Sequence, residues 1–189
     1  MSWPNMLFFE AGTEWGAAAR LLPTMAGLRE LKLDLVPSDT NHKTFQAVGA
    51  LTELKGLHLA LAYEAERILS REEMLAIGQL HNLRNLTILG SELTLDEAVT
   101  DDDLVIFLSS FSEVEDVHID AFNTTLVPSS ATIALATTST RLQHYTYTAI
   151  WDISFAESST PLLFPELQSM RSEARLQKIA ELTECFLER

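Results

Sequence analysis

Hydrophobic residues in this chain recur in a short pattern, with polar residues between them. In the stretch LRELKLDL, the template L-x-x-L-x-L places Leu28, Leu31 and Leu33 three and then two residues apart. Copies of the template begin at seven positions, namely Trp3, Leu28, Leu54, Leu83, Val114, Leu142 and Leu167. The starts are 25, 26, 29, 31, 28 and 25 residues apart, and 20 of the 21 template positions are apolar. Such a period predicts an array of similar units, each contributing one strand to a parallel sheet.

The segments between these copies carry helix signals. Ser70 with Glu73, and Thr100 with Asp103, have the spacing of a capping box at a helix N-terminus. Three more segments occupy the same place between other template copies: TEWGAAARLL, KTFQAVGAL and SSATIALATT. Strands that alternate with helices predict an α/β fold with right-handed connections. A last helical pattern, over residues 174–189, predicts a helix that caps the final repeat.

These residues resemble a leucine-rich-repeat protein, over essentially the whole chain. The resemblance implies one domain, residues 1–189, folded as a solenoid of about seven irregular repeats. Its curved parallel sheet would lie on the concave side and its helices on the convex side. The irregular repeat lengths, the phrase TSTRLQHY and the phrase WDI followed by PLLFPELQSM are similar to the divergent repeat region of fungal F-box proteins. That likeness implies the substrate-recognition part of a ubiquitin ligase, although no F-box motif stands in this sequence.

One face of the predicted sheet supplies the candidate binding residues. Alternate side chains of a strand point to opposite faces, so the template's fourth and sixth residues point into the core and its third, fifth and seventh point outward. The outward candidates are Glu30, Lys32, Asp34, His58, Asn85, Thr87, Asp116, His118, Asp120, His144, Thr146 and Arg171. Because adjacent strands lie about 4.8 Å apart, these residues would form contiguous strips. We expect them to bind a protein or peptide.

Charge narrows the choice of partner. The 189 residues carry a formal net charge of −14, and the sequence pI is about 4.6. A chain this acidic repels phosphate backbones and anionic lipid heads, so neither nucleic acid nor a membrane surface is expected as a partner. A basic protein or peptide is favoured instead.

Little in the sequence predicts catalysis or secretion. The motifs G-x-S-x-G, G-x-x-x-x-G-K-S/T, C-x-x-C and H-E-x-x-H are absent, so we expect neither an enzyme nor a cofactor. The single cysteine, Cys185, excludes an internal disulfide, and the N-terminal residues do not resemble a secretory signal. An intracellular protein, cytoplasmic or nuclear, is the expectation.

Two further hypotheses come from local clusters. Asp116, His118 and His144 are residue types that bind Zn²⁺, so a metal-dependent hydrolase is the alternative function. In that cluster, we expect His144 to lie beside Asp116 on the next strand.

The second hypothesis concerns the first template copy, WPNMLF. It predicts inward Met6 and Phe8, with Leu7 and Phe9 pointing outward from an edge strand. An apolar edge strand favours self-association.

Overall fold

The computed structural model describes residues 6–36, 43–61, 67–90, 93–120, 126–148, 150–151 and 164–172. In chain order its elements are β1 (Phe8–Glu14), α1 (Trp15–Leu21), a 3₁₀ turn (Leu22–Thr24), β2 (Glu30–Val36), α2 (Lys43–Gly49), β3 (Gly56–Leu61), β4 (Arg67–Leu69), α3 (Arg71–Ile77), β5 (Asn85–Leu89), β6 (Leu93–Leu95), α4 (Asp101–Ser109), β7 (Asp116–Asp120), β8 (Leu126–Val127), α5 (Ser129–Thr138), β9 (His144–Tyr147), β10 (Ile150–Trp151) and β11 (Ser169–Ser172). The predicted α/β class and the five helices named from the sequence are confirmed.

The main sheet has seven parallel strands in the order β1-β2-β3-β5-β7-β9-β11. Successive main-sheet strands are therefore neighbours, and one α-helix lies between each of these strands and the next from β1 to β9. Neighbouring helices also contact one another in sequence order, from α1 to α5. Six of the seven predicted template copies, those beginning at Leu28 and after, coincide with these strands.

One face of the main sheet is covered, and it holds the predicted inward residues. Their exposed fractions are 3% or less for Leu31, Leu33, Leu57, Leu59, Leu86, Ile88, Val117, Ile119, Tyr145 and Tyr147. Helix residues such as Val48, Ile77 and Leu104 belong to the same core cluster. Burying one such side chain contributes about 1.5–3 kcal/mol, so this face provides much of the driving force for folding.

The entry into each strand uses a hydrogen-bond arrangement that recurs along the chain. The Arg29 carbonyl oxygen accepts from the amides of Lys55 (2.7 Å) and Gly56 (3.0 Å). The Lys55 carbonyl oxygen accepts in the same way from Arg84 (2.7 Å) and Asn85 (3.0 Å). Equivalent pairs occur at every later step of the main sheet. Because each pair joins the same template positions, the register is repeated from strand to strand.

Both predicted capping boxes are present, and one of them connects two helices. The Ser70 hydroxyl accepts from the Glu73 amide, and the Thr100 hydroxyl accepts from the Asp103 amide. In return, the Glu73 and Asp103 carboxylates accept from the amides of Ser70 and Thr100. Arg71, at the start of α3, donates from Nε to Asp103 on α4 at 2.9 Å. The Arg71 guanidinium, then the Thr100 amide and hydroxyl, hold the pKa of the Asp103 carboxyl well below its ordinary value.

The predicted register of β1 is wrong by three residues. Phe9 lies opposite Leu31, the fourth residue of the second copy. The first copy therefore begins at Met6, and Trp3 lies outside the described residues.

This shift exchanges the predicted faces of Phe8 and Phe9, whereas Met6 and Leu7 lie as predicted. Phe8 is 58% exposed and Leu7 is 54% exposed, whereas Met6 and Phe9 are partly buried against the core. The stretch MLFF is apolar at every position, so its own sequence cannot distinguish the two registers. The prediction that Phe8 points inward and Phe9 outward is therefore wrong.

Two short parallel pairs, β4 with β6 and β8 with β10, add structure that the template did not predict. Strands β4, β6 and β8 each lie between a main-sheet strand and the helix that follows it, and β10 lies between β9 and β11. The predicted capping helix at 174–189 and Cys185 both lie outside the described residues.

Candidate partner-binding face

The face of the main sheet opposite the core carries polar side chains, and we call it the open face. Strand register arranges its residues in three rows that cross the strands. The entry row contains Phe8, Glu30, Gly56, Asn85, Asp116, His144 and Ser169. The middle row contains Glu10, Lys32, His58, Thr87, His118, Thr146 and Arg171. The exit row contains Gly12, Asp34, Ala60, Leu89 and Asp120.

The structure places the candidate residues on this face. Glu30, Asp34, Asn85, His118 and His144 are exposed. Six others are partly buried, namely Lys32, His58, Thr87, Asp116, Asp120 and Thr146. The backbone of Arg171 lies on β11 opposite Thr146, while its side chain lies outside the described part of the chain. The period-two pattern therefore positioned these residues correctly from β2 onward.

An ion pair lies at the first strands of the middle row. Lys32 Nζ lies 2.6 Å from Glu10 Oε1, and this hydrogen bond with its charge attraction raises the pKa of Lys32. His58 is the next residue of the row. Partial burial, followed by the positive charge of Lys32, lowers the pKa of His58. Neutral imidazole is therefore favoured there, and it can donate or accept a hydrogen bond.

Asp116, His144 and Ser169 occupy neighbouring places in the entry row. His144 Nε2 lies 3.9 Å from Asp116 Oδ1, and His144 Nδ1 lies 2.9 Å from Ser169 Oγ. The predicted proximity of His144 and Asp116 is confirmed. These contacts give the entry row adjacent imidazole, carboxylate and hydroxyl groups that can form hydrogen bonds with a ligand.

The zinc hypothesis gains no support from the geometry. Within the described ranges, no three His, Cys, Asp or Glu side chains are grouped closely enough to hold a metal ion. His118 lies in the middle row, whereas Asp116 and His144 lie in the entry row.

The third strand forms a low region in the open face. Gly56 and Ala60 occupy its entry and exit rows, so little side chain rises above the backbone there. The Glu30 carboxyl group extends over Gly56, in the space that a Cβ would occupy. In the exit row, neither Asp34 nor Asp120 has a side-chain hydrogen bond or ion pair within the described structure. These carboxylates are available to a ligand.

The edge of the sheet where the strands begin carries a basic strip that the sequence analysis missed. Three basic residues follow one another there, because the recurring backbone hydrogen bonds at the strand entries join Arg29 to Lys55 and Lys55 to Arg84. Only Arg84 has an acidic partner in the described structure, at 3.7 Å from Glu115. The sequence signal was available, because the second template residue is basic in three successive copies. The open face thus has a basic edge beside rows that carry carboxylates.

Comparisons with protein-family models, curated proteins and solved structures find no match to this chain. In the described residues, no helix is long and apolar enough to cross a membrane.

Proposed function

We propose that this chain is a solenoid of the leucine-rich-repeat class that binds a protein or peptide on its open face. One observation carries the proposal: a broad parallel sheet has a single covered face, and its other face presents ordered rows of polar side chains. Water can solvate these side chains, so folding does not require this set of residues. Solenoids use such continuous faces to bind extended partners.

The regular strand order and the recurring entry hydrogen bonds support the repeat assignment. The chain's negative charge favours a basic partner. By the likeness to F-box proteins, the proposal extends to substrate recognition within an intracellular ubiquitin ligase. In this proposal the chain binds its partner without catalysing a reaction.

Selection from a random peptide display library tests the proposal. The Thr87→Arg variant places a long side chain in the middle of the open face. Ile106→Arg is the matched control, because Ile106 is 54% exposed on α4. Peptides selected on the unmodified protein should bind the Ile106→Arg variant equally and the Thr87→Arg variant about tenfold more weakly, as expected from the loss of about 1.4 kcal/mol. Failure to select any peptide, or equal binding to both variants, would contradict the proposal.

Two exposed apolar side chains at the start of β1 support a second proposal, self-association through this edge. In the described part of the chain, β1 pairs only with β2, and Leu7 and Phe8 are both more than half exposed. Light scattering should show a concentration-dependent increase in mass that the Leu7→Lys, Phe8→Glu double variant removes. A constant monomer mass, unchanged by the substitutions, would contradict this proposal.

A further inference from the structure

We infer that the exit row selects an extended basic peptide with Lys or Arg at two positions four residues apart and an apolar residue midway between them. This inference rests on the proposed function, because it identifies the chemistry of the partner that the open face binds.

The spacing of two carboxylates carries the inference. The register runs from Asp34 on β2 through Ala60 and Leu89 to Asp120 on β7. The two aspartates are thus separated by three strand spacings, or about 14 Å. An extended peptide that crosses the strands advances about 3.3 Å per residue, so four residues span about 13 Å. The long stem of lysine or arginine accommodates the remaining difference.

The residues between the aspartates define the middle of the ligand. In an extended peptide, alternate side chains point the same way, so the two basic residues and the residue midway between them face the sheet together. That middle residue would lie over Ala60 and Leu89, which are half-buried and apolar. Contact with them favours an apolar side chain at this position.

Charge determines which row the peptide follows. Neither Asp34 nor Asp120 forms an ion pair in the described structure, so a cationic peptide does not have to displace one. Asp34 interacts electrostatically with Lys32 of the middle row, but the Lys32 ammonium is hydrogen-bonded to Glu10. At the opposite edge of the sheet, Arg29, Lys55 and Arg84 repel a basic peptide. The exit row is the row farthest from this basic strip. Attraction by Asp34 and Asp120, together with repulsion by the basic strip, places the peptide at the edge where the strands end.

Labelled synthetic peptides provide the probe. The first contains K-S-L-S-K between glycines, and the second rearranges the same residues as K-K-L-S-S. Fluorescence anisotropy measures both dissociation constants on the unmodified protein. The first peptide should bind at least about threefold more tightly, since only its charges match the separation of the two aspartates.

Protein variants identify the carboxylates. Asp34→Asn and Asp120→Asn should each weaken the first peptide about threefold, as expected for one exposed ion pair. Asp102→Asn is the control, because Asp102 is exposed on α4 and carries the same charge. It should leave binding unchanged.

The results separate this inference from the proposed function. Equal affinity for the two peptides, with no effect of the Asp34 or Asp120 substitution, would overturn the inference. If Thr87→Arg still weakened binding about tenfold in that case, the open face would remain the binding surface. Preferential binding of a D-S-L-S-D peptide, lost in Arg84→Ala, would instead assign the partner to the basic strip and also overturn the inference.

Discussion

The covered and open faces of the main sheet share one backbone, but different constraints act on their residues. On β3, Leu57 and Leu59 are at most 2% exposed, whereas His58 between them is partly accessible to solvent. Replacing a covered residue changes the packing of the core, and replacing an open one mainly changes what the surface can bind. This difference allows mutations to separate stability from function.

The largest effect is expected on the covered face. Leu57→Ala should lower the free energy of unfolding by about 2–5 kcal/mol, because it removes buried methyl groups and leaves a cavity. Leu57→Met nearly conserves volume and should cost less than about 1.5 kcal/mol. Urea unfolding measures both values. Equal small losses would contradict the burial assigned to this face.

A smaller loss is expected where two helices meet behind the covered face. A Cβ at Gly49, the last residue of α2, would overlap the Ala76 carbonyl oxygen of α3. Helix propensity alone predicts that Gly49→Ala stabilises the protein, but this overlap predicts a loss of about 1–3 kcal/mol. Gly12→Ala is the control, because its Cβ would meet no atom within 4 Å. A stabilised Gly49→Ala variant would disprove the close helix approach.

The helix layer should also respond to acid. The depressed pKa of Asp103 means that its stabilising contribution is present above the ordinary value of 3.8 and is lost as the pH falls below it. Asp103→Asn should therefore be less stable at neutral pH and should lose less stability between pH 5 and about pH 2. Urea midpoints across this range measure the effect. Identical pH profiles for the two proteins would contradict the ionic contact with Arg71.

The smallest effect is expected on the open face. His118 is exposed in the middle row, and His118→Ala should change the free energy of unfolding by no more than about 0.5 kcal/mol. Thermal unfolding of the His118→Ala and Leu57→Ala variants under the same conditions compares their losses of stability directly. A loss as large as that of Leu57→Ala would mean that the two faces have been assigned incorrectly.

The same comparison explains how much the sequence could predict. Leucine spacing identified the strands from Leu28 onward because burial requires apolar residues at particular positions. The capping boxes were also predictable, since Ser70 and Thr100 act on residues only three positions away. Strand burial imposes a periodic pattern and helix capping a fixed local spacing, so the sequence shows both directly.

Features outside those constraints were missed. The stretch MLFF satisfies burial in either register, so only pairing with β2 fixed Phe9 opposite Leu31. The short pairs in the connections depend on chain segments brought together by the fold. Likewise, the availability of Asp34 and Asp120 emerged only when their neighbours in space were known.

Nuclear magnetic resonance mapping tests the central claim most directly. A peptide selected by display would be titrated into the isotopically labelled protein while its backbone amide shifts are followed. We expect the largest shifts at open-face positions of β2, β3, β5 and β7, including Asp34, Ala60, Leu89 and Asp120 of the exit row, with small shifts on α2, α3 and α4. Largest shifts on those helices, with an unperturbed open face, would contradict the central claim.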